Sequence, residues 1–177
     1  MIGLAMAARG ALAQAGDGVM SDAEVEAIRD ASFIPTDCIA EYEKILNSRE
    51  KQIDELLAKP RHAGREEDFH DLMSQMAAIA DELTDHLDEY DKNHRDVRKA
   101  LPKLVKATER WSTTLRAPEE DDRYKVERKL ALDAVADMRD AAEKMEDELA
   151  AYFKEHPEAA KAEKARADDP HYVRPPE

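Results

Sequence analysis

Beyond residue 18 the chain contains a single glycine, Gly64. Tight hairpins and left-handed turns draw on residues that tolerate φ > 0, and glycine does so without strain. A β-protein with many turns is therefore excluded, and so is a glycine-rich phosphate loop. The four other glycines, Gly3, Gly10, Gly16 and Gly18, all fall in an Ala-rich leader. The rest must be carried by helices, within a length of 177 residues that suits one domain.

The hydrophobic spacing agrees. Ser21 and Glu24 have capping-box spacing, and Val25 and Ile28 follow on one face of a short helix that ends before Pro35. Thr36 or Asp37 is expected to cap a second helix running to about Ala58. Its seam reads Ile39, Tyr42, Leu46, Ile53 and Leu56, with Arg49 at one seam position. Pro60 and Gly64 mark a turn. A third helix, about Arg65 to Tyr90, carries Phe69, Leu72, Met76, Ile79, Leu83 and Tyr90, with His86 where the series expects an apolar residue.

Asn93 is a stop signal, but Pro102 leaves two readings open. Residues 65–116 form either one kinked helix or two, the second carrying Leu101, Leu104, Val105, Thr108, Trp111 and Leu115. Pro118 and the acids Glu119 to Asp122 predict a turn that opens directly into an acidic helix start. The last long helix then runs to about Lys154 on Tyr124, Ala131, Val135, Met138, Ala142, Met145, Leu149 and Tyr152. The expected fold is all-α: an elongated up-down antiparallel bundle of three or four long helices, with a short N-terminal helix and a disordered C-terminal tail. Ala, Leu, Ile and Met fill most of the seams, and aromatics are 5% of the chain, so the expected core is thin. A homodimer would bury more apolar surface.

Both ends differ from this body. Residues 1–18 carry one Arg and no acid before Asp17, and Ala13-Gln14-Ala15 has the small-x-small form of a signal-peptidase site. Residues 1–15 read as a signal-peptide remnant whose basic start lies upstream, which implies a periplasmic or secreted protein; the alternative is an Ala-rich arm on a cytoplasmic one. The bundle domain then spans 16–157. Residues 158–177 read as a flexible acidic, Pro-containing tail, helical and frayed to about Ala167, with Tyr172 and Val173 as its only large apolar residues. No stretch is apolar enough to span a membrane.

The chain has 41 acids against 27 bases and a formal net charge of −14. Such a chain repels phosphate backbones, which argues against nucleic acid as a partner. Cys38 stands alone, so there is neither an intramolecular disulfide nor a Cys-x-x-Cys-His haem attachment, and a structural role is expected for it. Glu67-x-x-His70 has the spacing of a dimetal ligand pair. Its nearest counterpart, Asp91-x-x-His94, lies 24 residues on, about 36 Å along a helix, too far to share the metals. His70, Met73 and Met76 place soft donors on roughly one helical face, a Cu(I)-like set, against the plainer reading of Met73 and Met76 as core.

Asp81, Glu82, Asp85, Asp88, Glu89 and Asp91 crowd around His86, which is expected to be half-buried and bonded to Glu82. No serine sits on a G-x-S-x-G turn. No catalytic residue, cofactor-binding residue or metal ligand is therefore assigned. The expected function is that of a non-enzymatic exported interaction or scaffold module with a protein partner. The alternative is a metal-handling or metal-sensing bundle using His70, Met73 and Met76, or His86 with Glu82.

Overall fold

A computed structural model describes residues 18–167, so the signal-peptide reading of residues 1–15 and the last ten residues of the expected tail lie outside the described residues. Six helices and no strand occur among the described residues: α1 (Asp22–Ala31), α2 (Pro35–Ala58), α3 (Arg65–Lys92), α4 (Leu101–Arg116), α5 (Lys125–Glu155) and α6 (Pro157–Ala167). The all-α architecture expected from the glycine scarcity is present, and no described helix is long and apolar enough to cross a membrane.

The helix boundaries show which local signals prevail. The Ser21 capping box is formed: Glu24 N donates to Ser21 Oγ, and Ser21 N donates to Glu24 Oε2 at 2.8 Å. Helix α2 starts earlier than Thr36 or Asp37 would dictate. Pro35 occupies the first turn and Ile34 is the N-cap, because proline's fixed φ suits a position whose N–H has no helical partner. Gly64 caps α3 at φ 88°, the left-handed conformation that the lone internal glycine is there to adopt.

Residues 65–116 form two helices. His94 takes φ 49° and Arg95 N reaches back to Tyr90 O at 2.8 Å, the six-to-one bond of a Schellman end. Pro102 then lies in the first turn of α4, where it costs no hydrogen bond. Helix α5 begins only at Lys125. The acids before it are occupied otherwise: Asp121 accepts from Arg123 N and Nε, Glu120 pairs with Arg128, and Glu119 pairs with Arg61. Side-chain bonding of this local kind competes with helix formation.

Consecutive long helices run in opposite directions. Tyr42 meets Glu82 and Arg49 meets Gln75 across α2 and α3. The pairs α2/α3, α3/α5, α5/α4 and α4/α2 close a ring, in which α3 and α5 run parallel. His70 meets Glu127 near the start of both, and His94 stacks on Tyr152 at the far end. At 1.5 Å per residue α5 is about 46 Å long.

The core is continuous along this length, from Phe69 and Tyr124 at one end through Met76, Leu83 and Trp111 to Leu149 and Phe153. Every buried side-chain nitrogen and oxygen among the described residues has a hydrogen-bond partner. Trp111 Nε1 donates to Asn47 Oδ1 at 2.9 Å, which ties α4 to α2. Arg49, the polar residue in the α2 seam, donates through both terminal nitrogens to Glu24 at 2.8 Å and through Nε to Gln75 at 2.7 Å, which fastens α1 to the bundle.

Of the stretch read as a flexible tail, the part up to Ala167 is helix α6, and it folds back onto the bundle. Ala159 and Ala160 pack against the core, and the Glu163 side chain, 12% exposed, bonds Arg95.

Candidate functional site

The groups singled out in the sequence do not converge. His70 is 43% exposed, with Nδ1 2.9 Å from Asp71 and Nε2 3.3 Å from Glu127. Met73 and Met76 are fully buried in the core, so the His-Met-Met spacing splits into a surface imidazole and two packing thioethers. Glu82 is exposed, and its partner is Tyr42, whose hydroxyl donates to Oε1 at 2.7 Å; this replaces the expected Glu82–His86 bond. The half-buried His86 lies instead between two phenol rings, 5.4 Å from Tyr42 and 6.0 Å from Tyr90. Cys38 is wholly buried. Burial pushes the Cys38 thiol up, the nearby Tyr90 hydroxyl opposes this, and the Glu82 charge adds to the rise. Burial likewise pushes the Tyr42 hydroxyl up, as does its bond to Glu82.

Sequence reasoning missed a cleft at the opposite end of α3 from Phe69. It encloses about 420 Å³ between three pieces of chain: the α1–α2 connection, the α3–α4 connection and α6. Phe33, Ile34 and Pro35 give it an apolar side. Its polar lining holds six cations, Arg95, Arg98, Lys99, Lys161, Lys164 and Arg166, against two carboxylates, Asp96 and Glu163. This is a basic spot on a chain of net charge −14.

The two carboxylates are held inside the cleft. Asp96 accepts from Arg98 Nε and Nη2, both at 2.8 Å, and the Arg98 guanidinium stands 4.5 Å over the Phe153 ring. The Arg98 bonds, against a smaller opposing effect of burial, hold the Asp96 carboxyl below its ordinary range. Glu163 is gripped by Arg95 Nε at 2.9 Å and by Arg166 Nη1 at 2.6 Å. Lys99, Lys161 and Lys164 are exposed and have no carboxylate within 4.0 Å among the described residues.

The start of α2 also faces this space. Thr36 lines it, and no side chain caps this 24-residue helix; Pro35 has no N–H and Asp37 N donates to Ile34 O at 2.9 Å, which leaves the Thr36 N–H. A helix start carries roughly half a positive charge, so it adds to the field of the lysines.

Outside the cleft, four large apolar residues are exposed among the described residues: Val19 just before α1, Val25 on α1, and Val126 and Leu130 on one face of α5, the last two 61% and 53% accessible. The cleft was hidden in the sequence because its cations come from residues 95–99 and 161–166, some sixty positions apart. The one local signal was the run Arg95, Arg98 and Lys99 directly after an acidic helix. Compared with known proteins, the chain matches no family model, no curated protein and no solved structure.

Proposed function

We propose that this chain is a non-enzymatic interaction module, exported from the cell that makes it, which docks a protein partner at the cleft formed by α6. The cleft itself carries the reading: cations from two separate segments face one space beside an apolar wall, on a scaffold that holds both segments in place. Rigid helices that position binding groups at their connections are a common way to build such a surface.

The non-enzymatic part rests on where the titratable side chains are spent. Tyr42 bonds Glu82 and Glu24 bonds Arg49, each linking one helix to another, and Cys38 is wholly buried. Export is supported by the Ala13-Gln14-Ala15 pattern in the sequence.

Site-specific photo-crosslinking in the producing cell tests the module reading. A photoreactive amino acid replaces Lys161 at the cleft or, as control, Lys144 on the exposed face of α5. Discrete protein adducts at 161 and none at 144 are expected. Equal labelling at both positions, or none at either, refutes the reading. Fractionation of the same cells tests export, with the protein expected outside the cytoplasm.

A further inference from the structure

From the cleft lined by Lys99, Lys161, Lys164, Phe33, Ile34 and the open start of α2, we infer that the partner is bound through a short acidic segment carrying one large apolar residue. This rests on the interaction-module reading and goes beyond it by naming what the cleft accepts.

The chemistry is already present in part. The Glu163 carboxylate sits between Arg95 and Arg166, which shows that this lining holds a carboxylate at hydrogen-bond distance from two guanidinium groups. Three lysines next to that pair have no carboxylate within reach among the described residues, and the start of α2 adds the single Thr36 N–H, since Pro35 has none and Asp37 N already donates to Ile34 O. A second and a third carboxylate, supplied from outside, complete these charges with charge-assisted bonds.

The volume sets the size. About 420 Å³ takes a few side chains, and Phe33, Ile34 and Pro35 supply contact for an apolar one. The net charge of −14 sets the class. A long polyanion or an anionic membrane surface extends past the cleft and meets the repulsion of the whole molecule, whereas a short acidic segment feels mainly the local lysines.

The test is selection from a random heptapeptide display library on the full chain, on a Lys99→Glu/Lys164→Glu variant and on blank support. Both lysines are exposed, so the variant is expected to fold, and circular dichroism is the check. Peptides rich in Asp and Glu around a large apolar residue are expected on the full chain. Their affinity should fall about tenfold on the variant and several-fold between about 50 mM and 300 mM salt. Peptides that are enriched but not acidic, or that bind the variant equally, overturn the inference and leave the module reading standing. No enrichment over blank support overturns both. Phosphatidylglycerol vesicles form a parallel arm: binding to them in place of acidic peptides also overturns the inference.

Discussion

Replacing Glu24 by Gln should cost far more than its position on a short, exposed helix suggests. The Glu24 carboxylate accepts from Arg49 Nη1 and Nη2 at 2.8 Å and from Ser21 N at 2.8 Å. The Arg49 and Glu24 side chains are 10% and 21% exposed, so the pair is only weakly screened. Hydrogen bonds to charged groups contribute about 1.5–3 kcal/mol, and breaking a fully buried pair costs about 3–5 kcal/mol. Glu24 keeps a fifth of its exposure, so about 2 kcal/mol is expected. The control is Glu148→Gln, which breaks the Lys144–Glu148 pair at 70% and 50% exposure and should cost no more than about 0.5 kcal/mol.

Urea unfolding at neutral pH reads the difference. With a slope of about 2 kcal/mol per molar, the midpoint moves by about 1 M for Glu24→Gln and hardly at all for the control. Because α1 packs mainly on α2, amide exchange should accelerate first in Asp22–Ala31. The double variant Glu24→Gln/Arg49→Met should regain part of the loss, since it no longer leaves a buried guanidinium unpaired. The pair also sets a pH dependence. Burial alone would raise the Glu24 carboxyl, but the Arg49 and Ser21 bonds outweigh it and hold the carboxyl below its ordinary value. Its contribution is therefore fully present above the ordinary carboxylate range and is lost as pH falls below that range through the lowered native value. Equal midpoints for Glu24→Gln and Glu148→Gln would refute this reasoning.

Other outcomes follow from single contacts. Asn47→Ala strands the indole N–H of the fully buried Trp111 and should cost about 1–3 kcal/mol by urea unfolding, whereas Asn47→Asp, which keeps the acceptor, should cost clearly less. Gly64→Ala meets no atom within 4 Å, so its cost is that of holding alanine at φ 88°, about 1 kcal/mol by the same assay. Cys38, wholly buried and with its thiol pushed up by burial, should react with a thiol reagent such as DTNB only at the rate of unfolding; fast labelling of the native protein would contradict its placement.

Much of the fold is legible in the sequence because long seams repeat a simple period. Phe69, Leu72, Met76, Ile79 and Leu83 on α3 are all buried, as their spacing predicts. Boundaries are less legible where a proline or an acid has two uses. Pro35 and Pro102 start helices, while Asp121 and Glu120 bind arginines and delay one. Helix α6 was hard to read as a docked element, since it adheres through Ala159, Ala160 and the Glu163–Arg95 pair, none of which forms an apolar stripe. Of the cleft only the basic run Arg95, Arg98 and Lys99 was legible, because its closure depends on α6 folding back over residues 95–99. Likewise, His70-x-x-Met73 looked like one face, yet side-chain direction sends the imidazole out and the thioether in.

An amide-resolved NMR titration reads out whether the cleft beneath α6 takes acidic peptide. The probe is a soluble hexapeptide carrying acids on both sides of a single Phe. Saturable shifts are expected at Thr36, Lys99, Ala160 and Lys161, reduced by added salt. Shifts centred on Val126 and Leu130, or none anywhere, would contradict peptide binding in the cleft.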